Sequence, residues 1–116
     1  MSKDFKLWLE FVEVDPDNWD IHNDFCNIQV NLPDGRHYGI NVWTFAYFQT
    51  SIAEDIKEGR NLNGLYLKPP DLFVRELTRD CIEKTISNLL EVDDLEKMLN
   101  PTIYSKVDQP NKLPTT

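Results

Sequence analysis

The tripeptide Pro33-Asp34-Gly35 stands between two runs that alternate with period two, and it decides how they can pair. Residues 24–32 put Cys26, Ile28, Val30 and Leu32 on one face and Phe25, Asn27, Gln29 and Asn31 on the other. Past the turn, Tyr38, Ile40 and Val42 alternate in the same way. Period two marks a strand, and a one-residue slip in register moves every side chain to the opposite face. A two-residue Asp-Gly turn would set Val30 opposite Gly39 and separate the apolar sets. A three-residue loop instead sets Leu32 opposite Arg36, Val30 opposite Tyr38, Ile28 opposite Ile40 and Cys26 opposite Val42. Every apolar residue then shares one face. Proline at the first turn position and glycine at a left-handed bulge position favour this loop as well.

The same alternation over residues 5–14 predicts a strand with Phe5, Leu7, Leu9 and Phe11 facing inward. Asp15-Pro16-Asp17-Asn18 reads as a capped turn of helix followed by a loop through residue 23. At Thr44, a helix N-cap, the period changes: Phe45, Phe48, Ile52 and Ile56 fall at helical spacing, and Gly59 marks the exit. Asn61-Leu62-Asn63-Gly64 is a turn, Leu65-Tyr66-Leu67 a short extended piece, and residues 72–77 a fourth main strand. Thr78 caps a second helix through Leu90, with Ile82, Ile86, Leu89 and Leu90 as its apolar face. Asp93-Asp94-Leu95-Glu96 reads as the capping box of a short third helix. The expected fold is α+β in the order β-β-β-α-β-α-α: an antiparallel sheet of about four strands, with two main helices packed on one face. One domain is expected over residues 1–100, and residues 101–116 read as a flexible tail.

The chain has 116 residues and a net charge of −8, of which residues 1–35 hold eight acids against Lys3 and Lys6. Such a field repels phosphate backbones and anionic lipid, which argues against nucleic-acid and membrane roles; it attracts a basic protein, and the plainer reading is that it serves solubility alone. The N-terminus runs directly into the first alternating pattern and does not read as a signal peptide. Cys26 and Cys81 could pair in an oxidising compartment; two buried thiols in a cytoplasmic protein is the plainer reading.

Little in the chain spells out chemistry. Asp15 and Asp17 begin like a calcium loop, but Trp19 takes the next alternate position and no glycine allows the sharp turn. His22 and His37 are too few for most zinc sites, so no metal and no cofactor is expected. Cys81, in the first turn of a helix, is the better thiol nucleophile, yet no histidine lies near it in sequence. A hydrolase-like enzyme would have to use the acidic loop 15–24 with His22.

The polar face of the sheet says more. It carries Trp8, Phe25 and Trp43 among Glu10, Asn27, Gln29, Asn31, His37 and Asn41, and aromatics among amides suit an interaction surface. The alternative is that the tryptophans cover sheet edges or meet a loop. The expected partner-binding residues are Trp8, Glu10, Asp17, Asp20, Asp24, Phe25 and Trp43. Two stretches, residues 34–45 (DGRHYGINVWTF) and 64–75 (GLYLKPPDLFVR) followed by the helix containing Ile82-Glu83, resemble a group of small uncharacterised bacterial proteins. Some of that group look like immunity proteins of polymorphic or contact-dependent toxin systems, and the likeness spans most of residues 5–90. It implies binding and blocking a toxin, with no chemistry of its own. A non-enzymatic binding protein is therefore expected, with an unrecognised enzyme or a self-associating domain that uses the aromatic face as the other readings.

Overall fold

Residues 25–44 fold as the hairpin that the turn chemistry requires. In the computed structural model, which describes residues 4–92, 95–99 and 101–104, strands β2 (Phe25–Asn31) and β3 (His37–Thr44) pair antiparallel. Val30 lies opposite Tyr38, Ile28 opposite Ile40 and Cys26 opposite Val42. The loop closes through two backbone bonds, Leu32 N–H to the Arg36 carbonyl at 2.9 Å and Gly35 N–H to the Leu32 carbonyl at 3.0 Å. Gly35 takes φ 94°, the left-handed value that glycine adopts without a steric penalty.

β1 (Lys6–Leu9) adds to the free side of β2, with Leu9 opposite Ile28 and Trp8 opposite Gln29. The strand expected over residues 5–14 ends at Leu9, and Glu10–Glu13 coils into one helical turn, α1. The next ladder position would pair Glu10 with Asn27. There the Glu10 carboxylate accepts the Asn27 backbone N–H at 2.8 Å, so a side chain does what the strand would have done. Phe11 still reaches the core from this turn. A short 3₁₀ turn, Pro16–Asn18, follows.

The far side of β3 is shared. β4 (Leu72–Val74) pairs with residues 42–44 in parallel, while β5 (Thr102–Tyr104) pairs antiparallel with residues 37–39. β4 is shorter than the strand expected over residues 72–77. Leu77 leaves the sheet, donates its N–H to the Ile21 carbonyl and buries its side chain in the core. β5 falls where only a tail was expected, because three residues are too few to carry a readable alternation. Residues 105–116 lie outside the described residues.

The inward face is the one expected from the alternation. Leu9, Cys26, Ile28, Val30, Tyr38, Ile40 and Val42 are buried, with Phe5 and Leu7 packed beside them. Helix α4 (Arg79–Val92) covers this face with Ile82, Ile86 and Leu90, and α5 (Leu95–Met98) adds Leu95. The Thr78 hydroxyl accepts the Cys81 N–H at 3.2 Å, as an N-cap does. The expected capping acids Asp93 and Asp94 lie outside the described residues, and Glu96 accepts a hydrogen bond from the Tyr38 hydroxyl at 2.6 Å.

Helix α2 (Phe45–Glu58) departs from the expectation that both long helices share the core face. Thr44 is at once the last residue of β3 and the helix N-cap, so no linker lets α2 fold back across the sheet. Its first turn meets the opposite face, and beyond that it contacts mainly the turn α3 (Asn61–Gly64). The rotation is also unexpected. At about 100° per residue, Phe45, Phe48, Ile52 and Ile56 lie within roughly 80° of one another. Phe45 and Ile56 of this set are 59% and 58% exposed, while the buried residues of the helix are Ser51 and Asp55. Asp55 is held by Arg60 Nε at 3.2 Å and Asn61 Nδ2 at 2.7 Å, and that clamp turns the apolar side outward. Asn61, Leu62, Asn63 and Gly64 all have positive φ, a single left-handed turn.

Candidate functional site

The outer face is built by the same register that builds the core. Alternation sends Phe25, Trp43 and Phe73 outward on three neighbouring strands, with Phe25 opposite Trp43 and Trp43 opposite Phe73. Because α2 starts at the end of β3, its first turn hangs Tyr47 and Phe48 over these rings. Thr44 fixes the junction: its buried hydroxyl accepts the Tyr47 N–H at 3.2 Å and the Asp24 N–H at 3.1 Å. Tyr47 lies 4.9 Å from Phe25 and 5.0 Å from Trp43 between ring centroids. Phe73 lies edge-to-face with Trp43 at 6.2 Å and with Phe48 at 5.8 Å. Each such pair contributes about 0.5–1.5 kcal/mol beyond area burial, which holds the rings in place. Yet Phe25, Phe48 and Phe73 remain 44%, 38% and 37% exposed. The arrangement is a rigid aromatic surface open to solvent.

Acids border it. Burial, then Glu54 and Asp24, push the Tyr47 hydroxyl pKa above its ordinary value. Asp24 also accepts the Phe25 N–H at 2.8 Å and the Asp20 N–H at 3.2 Å, and Asp20 accepts the His22 N–H at 3.1 Å. With Glu10 on Asn27, three of the four expected acids thus hold backbone amides, while Asp17 stands exposed in the 3₁₀ turn.

Trp8 shares the face but not the ring cluster. It sits opposite Gln29, four positions along β2 from Phe25, roughly 13 Å at 3.3 Å per residue. It lines a shallow depression of about 310 Å³ with Asn27, Gln29, Asn41 and Asp71. Asp71 closes the gap between β4 and β5: its carboxylate accepts the Asn41 N–H at 2.8 Å, and its own N–H reaches the Asn41 carbonyl at 3.1 Å. Trp19, the third tryptophan, donates Nε1–H to the Val14 carbonyl at 2.7 Å and packs against the core.

No family model matches this chain, and no curated protein and no solved structure matches it. The site has to be read from its own chemistry.

Burial, reinforced by Glu10 and Asp24, pushes the Cys26 thiol up to about 12, so it stays protonated at neutral pH and is a poor nucleophile. Both cysteines are free thiols, Cys26 buried and Cys81 partly so. His22 Nε2 lies 3.8 Å from Glu76 Oε1, and in loop 15–24 the Asp20 and Asp24 carboxylates accept backbone amides. Among the described residues no three His, Cys, Asp or Glu side chains gather as a metal site requires, and no helix is long and apolar enough to cross a membrane.

The structure brings Phe25, Trp43 and Asp24 together and leaves Trp8 apart. It adds Tyr47, Phe48 and Phe73, which sequence reasoning missed. Phe48 has the spacing of a core-facing residue and Phe73 lies within a strand pattern. Only the placement of α2 over the strand ends joins them.

Proposed function

We propose that this chain is a non-enzymatic protein-binding module of the cytoplasm, an immunity-type inhibitor whose outer sheet face docks a basic toxin or effector domain. The observation that carries this reading is the half-exposed aromatic cluster of Phe25, Trp43, Tyr47, Phe48 and Phe73 with Asp24 and Glu54 at its border. Rigid aromatic anchors lose little side-chain entropy when a partner covers them, and they are the residue types that dominate interface energetics. The negative charge concentrated in residues 1–35 extends the same preference to longer range. Free thiols suit a reducing compartment.

Charge and aromatics then have separable roles. Rim charges steer encounter and set its salt dependence, whereas buried anchors set the lifetime of the complex. The partner is captured from the native host, and binding kinetics are measured on the purified pair at two salt concentrations. Replacing Asp17, Asp20 and Asp24 together by asparagine slows association and flattens its salt dependence. Trp43→Ala or Phe25→Ala speeds dissociation, at a cost of about 2 kcal/mol or more for a hot spot. An acidic partner, or kinetics indifferent to both sets, refutes the surface, and turnover of a substrate by the chain alone refutes the class.

A further inference from the structure

A second exposed apolar surface has a different electrical character. The outward side of α2 presents Phe45 and Ile56, each more than half exposed, with the partly buried Ile52 between them and Phe48 at the border with the aromatic cluster. Turn α3 abuts it: a Cβ on Gly64 would meet Ile56 Cγ1 at 2.6 Å, so the Gly64 backbone lies directly against that side chain. Around this contact Leu62 and Leu65 are 70% and 74% exposed. Taking roughly 150–250 Å² per large side chain, the exposed parts of Phe45, Ile56, Leu62 and Leu65 amount to about 500 Å², more than half of the ~800 Å² that each partner contributes to a standard interface. A single helix whose apolar side meets water is unfavourable unless something covers it.

Charge indicates the covering partner. In a chain of net charge −8, residues 45–68 hold Glu54, Asp55 and Glu58 against Lys57, Arg60 and Lys68 and are neutral. A basic protein gains nothing here, and a copy of the same segment meets no local repulsion. The spacing is also self-complementary. When two copies of α2 cross antiparallel about an axis near Thr50 and Ser51, Phe45 of each falls opposite Ile56 of the other, the reciprocal contact of an isologous two-fold.

We infer that this protein forms a two-fold homodimer through the outward side of α2, leaving the sheet's outer face for a different partner. Salt separates this inference from the proposed function. A basic partner binds more weakly as salt rises, whereas two chains that each carry −8 and meet through a neutral surface associate more tightly. Sedimentation of the full chain across a wide concentration range is expected to show a species of twice 13.6 kDa, favoured by added salt. Phe45→Lys and Ile56→Lys each remove that species with an unchanged far-UV circular dichroism spectrum, since both side chains are more than half exposed. Gln29→Lys, on the sheet's outer face, leaves it intact. Mixing Phe45→Lys with Ile56→Glu restores it, and failure to do so would overturn the antiparallel pairing. A 13.6 kDa species at every concentration overturns the proposal outright. So does a dimer that tolerates both lysine variants, or one abolished by Gln29→Lys.

Discussion

Gly64→Ala tests the left-handed turn that holds α2 in its outward rotation. At φ 79° an alanine costs about 1–2 kcal/mol relative to glycine. The new methyl would sit 2.6 Å from Ile56 Cγ1. Ile56 is 58% exposed and can rotate away, at about 0.5–1.5 kcal/mol for an off-rotamer side chain. Loss of glycine's freedom in the unfolded chain returns about 0.4–1 kcal/mol. The net is a destabilisation of about 1–2 kcal/mol, or roughly 4 °C in Tm per kcal/mol at this chain length. Gly59 supplies the control. Its φ is 74°, but a Cβ there meets only Asn63 Oδ1 at 3.4 Å, so Gly59→Ala incurs the backbone penalty without the clash. Urea unfolding followed by far-UV circular dichroism is expected to rank Gly64→Ala below Gly59→Ala. Adding Ile56→Ala to Gly64→Ala is expected to remove most of the difference. If the two glycines behave alike, or Ile56→Ala brings no relief, the turn does not press on α2 as described.

Two other expectations concern the core. Ile28 is fully buried between β1 and β3, so Ile28→Ala should cost about 2–5 kcal/mol in urea unfolding. A loss below 1 kcal/mol would place it outside the core. The Cys26 thiol is raised from an ordinary 9.0 to about 12, so folding favours its protonated form. Its contribution is complete below pH 9.0 and lost as pH rises through about 12. Unfolding curves for wild type and Cys26→Ala, compared across that range, should converge as pH rises. In the native protein Cys26 should resist thiol reagents at neutral pH.

The register was legible because two independent constraints coincided on Pro33-Asp34-Gly35: the chemistry of the turn and the requirement that Val30 and Tyr38 share a face. Phe25 and Trp43 became neighbours by the same logic. The orientation of α2 was not legible. Helical spacing of Phe45, Phe48, Ile52 and Ile56 shows that the helix has an apolar side, but not what that side meets. The decision lay with Asp55, whose pairing with Arg60 and Asn61 turns the polar side inward. β1 ended early for a comparable reason, since nothing in an alternating run announces that the Glu10 side chain will take the ladder position opposite Asn27. In the same way, Tyr47, Phe48 and Phe73 converge only once α2 is placed above the strand ends.

Thr44 sets the length of chain between the sheet and the helix with no slack. One inserted residue between Trp43 and Tyr47 would swing α2 by about 100° about its axis. Tyr47 would leave the space between Phe25 and Trp43, and Phe45 and Ile56 would point along a new bearing. The angle between the aromatic surface on the sheet and the apolar side of α2 is therefore written in residue count at that junction. A chain that keeps both surfaces is held to a single spacing where β3 becomes α2.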